Sequence, residues 1–351
     1  MKKVLFVGGG SIGHIAPAVA VASALKEERN NIEMHFVCST KEDDSVFLVN
    51  EGFENVTQLD APRTSLTFPW RFWRSYVQSK KILKRIQPSV VFSKGGYVSV
   101  PICLAAKRMN IPIILHDSDV VNGYANRLVA RWAAHICTGF PSKPATSNQQ
   151  PATFVGNPIR TTIAQGSADE GFRIAHLEGR SKPVLLIIGG SQGAQSLNEF
   201  VVNHIDELLN TFDVIHITGS GKKGVTKDRD GYWQTDLVGP ELSHLYAATD
   251  IAVSRAGANT IAELAANEIP TILIPLRGAA HDHQQKNAEV IEQAGGCVIV
   301  QQKNMEKNLI TTLKQLNDNS DRRKALKQAL GKMHKPDAAR QIAQILSKYL
   351  A

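Results

Sequence analysis

The sequence is poor in cysteine and has no long apolar run. Its four cysteines lie far apart and form no Cys-x-x-Cys pair, which argues against a zinc site or a disulfide framework. No apolar stretch approaches the length of a membrane span. The start, MKKVLFVGGG, reaches glycine after four apolar residues, which is too few for the hydrophobic part of a signal peptide. We therefore expect a cytoplasmic protein.

Acidic residues are missing from one long stretch of the chain. No Asp or Glu lies between Asp60 and Asp117, whereas ten basic residues do. They are Arg63, Arg71, Arg74, Lys80, Lys81, Lys84, Arg85, Lys94, Lys107 and Arg108. The net charge of +8 is therefore unevenly distributed, and we expect one strongly positive face.

Aromatic residues alternate with arginines inside this basic stretch. From Phe68 the chain reads FPWRFWRSY, and Tyr76, Leu83 and Ile86 continue an apolar stripe at helical spacing. Such a segment is typical of an anionic membrane surface. The residues predicted to meet that surface are Phe68, Trp70, Arg71, Phe72, Trp73, Arg74, Lys80, Lys81, Lys84 and Arg85. Two alternatives stay open: nucleic-acid binding, for which no known motif is present, and a helix that packs its stripe on its own domain.

Two nucleotide-binding motifs are absent or incomplete. No GxxxxGK[ST] sequence occurs, which excludes a P-loop nucleoside triphosphatase. Gly8, Gly10 and Gly13 satisfy GxGxxG, but a dinucleotide fold also needs an acidic residue at the end of its second strand. Cys38-Ser39-Thr40 occupies that position, so a dehydrogenase is disfavoured.

Short apolar runs alternate along the chain with segments of helical periodicity, and this alternation predicts a parallel α/β fold. A length of 351 residues is enough for two such domains. Strands are predicted at Lys3 to Val7, Met34 to Cys38, Val90 to Ser93, Ile113 to His116, Val214 to Thr218, Ile251 to Ser254, Ile269 to Pro275 and Val298 to Val300, and a second α/β series begins at Val184. Helices are predicted at His14 to Leu25, Val98 to Lys107, Asn122 to Ala133 and Thr260 to Ala266. Residues 139–182 break the periodicity and should contain the hinge.

Each half of the chain opens with the same sequence pattern. An apolar strand is followed by Gly-Gly-Ser-x-Gly and then by a helix, with the glycine turns at Gly9 to Gly13 and Gly189 to Gly193. Glycines let the backbone close on an anion, and a helix amino terminus supplies free N–H groups and a favourable dipole. We therefore expect two phosphate-binding turns that face each other across a cleft.

The stretch from Asp250 to Asn287 reads as strand, small-residue turn, helix, strand and polar loop. In an open parallel sheet ligands bind beyond the carboxyl ends of strands, so Arg255, Gly257 and the loop from Arg277 to Gln285 should face one crevice. The carboxylate of Glu263 suits two vicinal hydroxyls because it accepts bidentate hydrogen bonds. Gln284 and Gln285 both donate and accept, which suits a sugar ring.

Two triplets resemble metal-binding clusters, Asp117-Ser118-Asp119 and His281-Asp282-His283. Neither has a third ligand at a helical or hairpin spacing, and carboxylates at a strand end equally serve as hydrogen-bond acceptors. We therefore predict no metal and no cofactor.

Taken together, separate segments over nearly the whole chain resemble one family, the bacterial MurG transferases. The segments are Gly8 to His14, Ser93 to Pro101, His116 to Asn126, Gly156 to Arg160, Gly189 to Ala194, Arg255 to Glu263 and Asp282 to Ala288. Each glycine loop alone is unspecific, whereas the set is highly specific.

The resemblance implies a GT-B architecture, with two facing Rossmann-like parallel-sheet domains and a cleft between them. By this resemblance residues 1–160 plus 336–351 would bind acceptor and membrane, and residues 161–335 would bind the UDP-sugar. It implies a metal-independent, inverting transfer of N-acetylglucosamine from UDP-N-acetylglucosamine to the undecaprenyl-diphosphate-linked muramyl-pentapeptide precursor of peptidoglycan. Such an enzyme is peripheral, on the cytoplasmic face of the cell membrane.

The resemblance also assigns residues. His14 is the expected catalytic base, since a helix amino terminus disfavours the imidazolium. Glu263 is expected at the uridine ribose. The expected donor-binding residues are Ser11, Ile12, Gly13, Asp119, Arg160, Ser191, Arg255, Gly257, Ala258, Glu263, Gln284 and Gln285. The expected acceptor-binding residues are Gly10, His14, Tyr97 and Asn126.

Two positions depart from the family pattern: Ile12, where many members have glycine, and Asp119, where many have asparagine. The alternatives are a UDP-N-acetylglucosamine epimerase or glycolipid glycosyltransferase of the same architecture, and a non-catalytic nucleotide-sugar binder. An epimerase needs no membrane surface, so the segment from Phe68 to Arg85 argues against it. The presence of His14, Glu263 and Gln284 argues against a binder without activity.

Overall fold

The computed structural model describes residues 1–62, 68–141, 152–222, 229–276, 278 and 282–350. The chain divides into two compact units. The first comprises Met1–Arg160 and Lys335–Ala351, and the second comprises Thr161–His334.

The first unit contains a seven-stranded parallel sheet in the order β3-β2-β1-β4-β5-β6-β7. Its strands are β1 Lys2–Val7, β2 Ile32–Cys38, β3 Val56–Gln58, β4 Val90–Ser93, β5 Ile113–Asp117, β6 His135–Thr138 and β7 Ala152–Phe154. The central strand β1 is apolar from Val4 to Val7 and fully buried there, because helices cover both faces of the sheet. The strand order reverses between β1 and β4, which is where ligands bind in open α/β sheets.

The helices of the first unit lie on both faces of this sheet. They are α1 Ala16–Glu28, α2 Glu42–Asn50, α3 Phe68–Ile86, α4 Ser99–Arg108, α5 Tyr124–Ala130 and, from the end of the chain, α13 Ala338–Ser347. Helix α13 packs against α1 and buries Ile342 and Leu346 completely. The last helix therefore completes the core of the first unit.

The second unit repeats the design with a six-stranded parallel sheet in the order β10-β9-β8-β11-β12-β13. Its strands are β8 Val184–Ile188, β9 Asp213–Ile217, β10 Tyr232–Thr235, β11 Ile251–Ser254, β12 Thr271–Leu273 and β13 Cys297–Ile299. Its helices are α6 Ala168–Ile174, α7 Gln195–Leu209, α8 Leu242–Ala247, α9 Ala258–Ala266, α10 His283–Gln293, α11 Met305–Asp318 and α12 Ser320–Gly331. Strand β8 holds the place that β1 holds in the first sheet, so the predicted repeat is confirmed.

Several predicted bounds were wrong for identifiable reasons. Helix α1 begins at Ala16 rather than His14, because Pro17 fixes its first turn and a separate 3-10 turn, Ile12–His14, precedes it. Helix α9 begins two residues earlier than predicted, at Ala258 after Gly257. Residues 139–182 contain β7 and α6, which are too short to show a strand or helix period.

Candidate active site

The turn after β1 is held in place by α2. Asp44, fully buried, accepts hydrogen bonds through Oδ2 from the Gly10 backbone N–H (2.7 Å) and the Ser39 hydroxyl (2.5 Å). Lys41 donates through Nζ to the Gly10 carbonyl at 2.8 Å. No local pattern predicts this anchor, since Asp44 is one of three consecutive acidic residues in the first turn of α2.

A second glycine loop, after β4, lies directly against this turn. A Cβ placed on Gly10, where φ is +93°, would lie 2.7 Å from Tyr97 Cε1. A Cβ placed on Gly96, where φ is +80°, would lie 3.8 Å from His14 Cδ2. The positive φ favours glycine at both positions, and at Gly10 the close approach of Tyr97 adds to that requirement. Three of the residues predicted to bind the acceptor, Gly10, His14 and Tyr97, are thus brought together, and His14 is half-buried.

The fourth, Asn126, joins them from α5. A Cβ on Gly95 would lie 2.0 Å from Asn126 Oδ1, so the side-chain amide packs on the second glycine loop. Asn126 Nδ2 donates to Asp117 Oδ1 at 2.9 Å. Asp117 Oδ2 and Asn126 Oδ1 are buried and have no hydrogen-bond partner among the described residues. These two acceptors can therefore each accept one further hydrogen bond.

A buried lysine stands beside this pair. Lys94 is 2% exposed, and its Nζ donates to the Ser118 hydroxyl. Burial lowers the pKa of Lys94 to about 8, and the negative charges of Asp119 and Asp117 act against that decrease. Burial likewise raises the pKa of Asp117 to about 6, although its hydrogen bond from Asn126 acts the other way. Our sequence interpretation placed Lys94 on the positive face, and this was wrong, because its charge is enclosed.

His116 lies beside the cluster of Lys94, Asp117 and Asn126, on the opposite side of β5. It is fully buried, and its Nε2 donates to the Gly156 carbonyl at 2.9 Å. Burial and the nearby Lys94 charge hold the pKa of His116 well below its usual value. His116 is therefore a neutral hydrogen-bond donor that ties β5 to the segment after β7.

The remaining donor-binding residues predicted in the first unit are Ser11 to Gly13, Asp119 and Arg160. Ser11 to Gly13 lie in and beside the 3-10 turn, where the Ser11 carbonyl accepts from the His14 N–H at 3.0 Å. The Arg160 guanidinium lies 2.5 Å from Glu51 Oε1 and 5.7 Å from the centre of the Phe47 ring. Arg160 is thus held against α2.

In the second unit the matching glycine turn follows β8. Gly190 and Gly193 have φ of +82° and +67°, and the Gly193 N–H donates to the Gly190 carbonyl at 2.8 Å. A Cβ on Gly193 would lie 2.0 Å from the Thr218 carbonyl oxygen, so this turn packs on the end of β9. Ser191, half-buried, lies between the two glycines, a few residues before α7 begins at Gln195.

Arg255, predicted to bind the donor, is buried at the ends of β11 and β12. Its side chain is 8% exposed, and it donates through Nη1 to the Ile274 carbonyl (3.0 Å) and through Nη2 to the Ser196 hydroxyl (2.7 Å). Burial lowers the pKa of its guanidinium. The guanidinium joins the ends of β11 and β12 to the start of α7, and the expected contact of Arg255 with the donor stays a prediction.

Glu263 and the two glutamines lie on the helices after β11 and β12. Glu263, half-buried on α9, accepts a hydrogen bond at Oε2 from the Tyr246 hydroxyl at 2.9 Å. Gln284 Oε1 accepts from the Leu276 N–H at 3.0 Å, and Gln285, 8% exposed, donates to Glu289 Oε1 at 3.1 Å.

The helix that carries the glutamines is fastened to the turn before α9. Asn287 Nδ2 of α10 donates to the Ala256 carbonyl at 3.1 Å, one residue before Gly257 and two before Ala258. The expected sugar-binding segments are thus joined by direct contacts. Arg277 and residues 279–281, which belong to the predicted polar loop, lie outside the described residues.

The predicted membrane segment forms α3, and its two sides differ. Its apolar stripe, including Tyr76, Leu83 and Ile86, is buried against its own unit, as one alternative held. The opposite side, which we call the α3 outer surface, exposes Trp70 (69%), Trp73 (59%) and basic residues. Those basic residues are Arg71, Arg74, Lys81, Lys84 and Arg85.

The other predicted members of this segment are less exposed. Phe68 and Phe72 are half-buried, with ring centres 5.5 Å apart. Lys80 is also half-buried, and its Nζ lies 5.9 Å from the centre of the Tyr76 ring.

Among the described residues, no group of three or more His, Cys, Asp or Glu is arranged to hold a metal ion. Over the same ranges, no helix is long and apolar enough to cross a membrane.

Comparison with known proteins shows which protein family the chain matches. Residues 4–138 match the family model of the glycosyltransferase family 28 N-terminal domain, and residues 184–342 match that of its C-terminal domain. A curated relative from Lachnoclostridium phytofermentans is 36% identical over 99% of both chains. That relative is a UDP-N-acetylglucosamine–N-acetylmuramyl-(pentapeptide) pyrophosphoryl-undecaprenol N-acetylglucosamine transferase.

Solved structures share the fold. MurG of Acinetobacter baumannii superposes with a TM-score of 0.72 at 23% identity, over 99% of this chain and 100% of that one. The UDP-GlcNAc 2-epimerase of Neisseria meningitidis, bound to UDP-GlcNAc, superposes with a TM-score of 0.66 at 14% identity, over 99% and 100%. Both likenesses are of architecture, and the predicted GT-B fold class is confirmed.

Proposed function

This chain belongs to glycosyltransferase family 28, within its MurG group, and we infer from that membership that it is an N-acetylglucosaminyltransferase. It transfers N-acetylglucosamine from UDP-N-acetylglucosamine to N-acetylmuramyl-(pentapeptide) pyrophosphoryl-undecaprenol, a step of peptidoglycan synthesis. The observation that carries this function is the likeness to the curated transferase along the whole chain. The likeness to an epimerase extends to the fold alone.

We propose that the second unit binds the UDP-sugar. The turn from Gly190 to Gly193 and the start of α7 offer backbone N–H groups and a helix dipole, which suit a diphosphate. The Glu263 carboxylate accepts hydrogen bonds from the ribose hydroxyls, and Gln284 and Gln285 bind near the sugar. Arg255 supports this site through its contacts with Ile274 and Ser196.

We propose that the acceptor binds in the first unit, at the two glycine loops. His14 is supported as the base by its place between the loops, with Gly96 beside its ring. It removes the proton of the acceptor hydroxyl as that oxygen attacks the anomeric carbon, and the configuration inverts. The departing UDP is stabilised by the backbone dipoles of the second unit. Tyr97 and Asn126 contact the acceptor, and Ser11 to Gly13, Asp119 and Arg160 are the proposed first-unit contacts to the donor.

We further propose that the protein is peripheral on the cytoplasmic face of the membrane, and that the α3 outer surface meets the lipid. An acceptor with a polyprenyl tail stays in the bilayer, so the enzyme must come to the surface. Two exposed tryptophans suit the headgroup region. Each nearby basic side chain contributes roughly 1 kcal/mol of attraction to anionic lipid.

A labelled-donor assay tests the function. The purified chain is incubated with UDP-N-acetylglucosamine carrying radiolabel in the sugar and with the lipid-linked muramyl-pentapeptide. We expect the label to move to the lipid. Label that is found only in an epimerised UDP-sugar would favour the epimerase, and UDP binding without any turnover would favour a non-catalytic binder.

A further inference from the structure

Glu263 is held by a buried tyrosine of the neighbouring helix α8. Tyr246 is 1% exposed, and its hydroxyl donates to Glu263 Oε2 at 2.9 Å. A hydroxyl that donates to a carboxylate makes a charge-assisted hydrogen bond, which is stronger than a bond between neutral groups. The contact therefore limits the orientations that the carboxylate can adopt.

Helix α8, which carries Tyr246, is itself firmly packed. A Cβ placed on Gly171 of α6 would lie 2.2 Å from the His244 carbonyl oxygen, so the two helices touch backbone to backbone. The Ser167 N–H donates to His244 Nδ1 at 3.0 Å. Asn267 Nδ2, one residue beyond α9, donates to the Ile163 carbonyl at 3.2 Å, and the 3-10 turn Thr161–Ala164 that contains Ile163 also contacts α8. The Tyr246 hydroxyl is thus a fixed point relative to α9.

A carboxylate that binds two vicinal hydroxyls needs this kind of fixation. A free glutamate side chain loses rotamer entropy when it binds, whereas an already oriented one does not. Each carboxylate oxygen has two lone pairs, so Oε2 can accept from Tyr246 and from a ligand hydroxyl together.

We propose that Tyr246 is a positioning residue for nucleoside recognition, which orients the Glu263 carboxylate toward the ribose hydroxyls of the donor. The inference rests on the proposed role of Glu263 and deepens it. Tyr246 acts through Glu263 and does not itself touch the ligand. Its loss weakens those contacts that depend on the ribose hydroxyls and leaves the rest of the nucleotide site intact.

The test uses Tyr246→Phe, which keeps the ring and removes one hydroxyl. The affinities of UDP and of its 2′-deoxy and 3′-deoxy analogues are measured by calorimetry on the full chain. We expect the affinity for UDP to fall roughly tenfold and the affinities for the deoxy analogues to fall less. The preference for UDP over its deoxy analogues therefore becomes smaller. In turnover, KM for the donor rises while kcat changes little.

Three further variants separate the possible explanations. Glu263→Ala should abolish discrimination, and the double variant should bind UDP no more weakly than Glu263→Ala does, because Tyr246 acts through Glu263. Tyr232→Phe is the matched control, since it removes another buried hydroxyl of the same unit, one that bonds to His216 Nδ1 at 2.9 Å. Its discrimination should equal that of the unmodified protein.

The outcomes that would contradict the role of Glu263 differ from those that would contradict the role of Tyr246. If Glu263→Ala leaves UDP affinity and discrimination unchanged, the proposed role of Glu263 fails. If Glu263→Ala lowers both and Tyr246→Phe lowers neither, the positioning role is overturned. The positioning role is also overturned if Tyr246→Phe weakens the binding of UDP and of the deoxy analogues equally and if its effect adds to that of Glu263→Ala. Tyr246 would then support the fold alone.

Discussion

At the residue scale, His14 is the side chain on which the proposed chemistry depends. His14→Gln keeps a polar side chain of similar size but cannot take up the proton of the acceptor hydroxyl. We expect kcat to fall by roughly 10²- to 10⁴-fold, the usual contribution of a general base, with UDP affinity unchanged. Turnover and calorimetry on the same preparation check this.

His204→Gln is the control for that substitution. His204 lies on α7 in the second unit, where its Nε2 is 2.7 Å from Glu306 Oε2. Its replacement should leave kcat unaltered. A His14→Gln variant that retains most of its kcat would remove His14 from the role of base.

Lys94 gives a prediction about pH. Burial holds its pKa at about 8, whereas an unfolded lysine titrates near pH 10.5, so between these values the unfolded chain binds more protons than the folded one. The contribution of Lys94 to the free energy of unfolding therefore rises with pH across this window, by at most about 1.4 kcal/mol per unit. Lys94→Met removes the titrating group.

The measurement is the difference in unfolding free energy between the unmodified protein and Lys94→Met at several pH values from 8 to 10. We expect that difference to move in favour of the unmodified protein as the pH rises. Lys107→Met, at an exposed position on α4, should give a difference that stays constant. A constant difference for Lys94→Met as well would mean that its ammonium is not destabilised by burial.

At the scale of the element, the α3 outer surface should behave as a membrane dock. Neutral polar substitutions of Arg71, Arg74, Lys80, Lys81, Lys84 and Arg85 should weaken binding to anionic vesicles steeply and reduce its dependence on salt. Vesicle sedimentation at two salt concentrations measures both effects. Activity on a short-chain, water-soluble acceptor should survive, because the helix is distinct from the glycine loops.

A smaller control variant replaces two basic residues on another exposed helix. Arg322 and Lys324 on α12 are exposed, and their replacement by Gln should leave vesicle binding largely intact. If the α3 variant binds vesicles normally, or loses as much activity on the soluble acceptor as on the lipid, then the charge of α3 serves the fold or the site instead.

At the scale of the whole molecule, we predict transfer without a divalent metal ion. Helix dipoles and backbone N–H groups can stabilise the departing diphosphate without one. Activity measured in excess EDTA should equal that in its absence. Complete loss of activity that is restored by adding a divalent ion would contradict this prediction and would indicate Asp117 and Asp119 as the metal ligands.

Much of this architecture could be predicted from the sequence because its signals are local. A run such as Val4 to Val7 followed by glycines specifies strand and turn within a few residues, and the same pattern at Val184 to Gly193 predicted the second unit. Short elements were missed for the same reason. Helix α6 and strand β7 contain too few residues to show a period.

The sequence by itself determined the repeated strand, glycine turn and helix, and the family that this set of motifs identifies. Only the tertiary structure decided which charged groups are enclosed and what they contact. Lys94 meets Ser118, Gly10 meets Asp44, and Arg255 meets Ser196 across separations of 24, 34 and 59 residues. No local pattern encodes such pairs, because parallel strands bring their carboxyl ends to one edge whatever the length of chain between them.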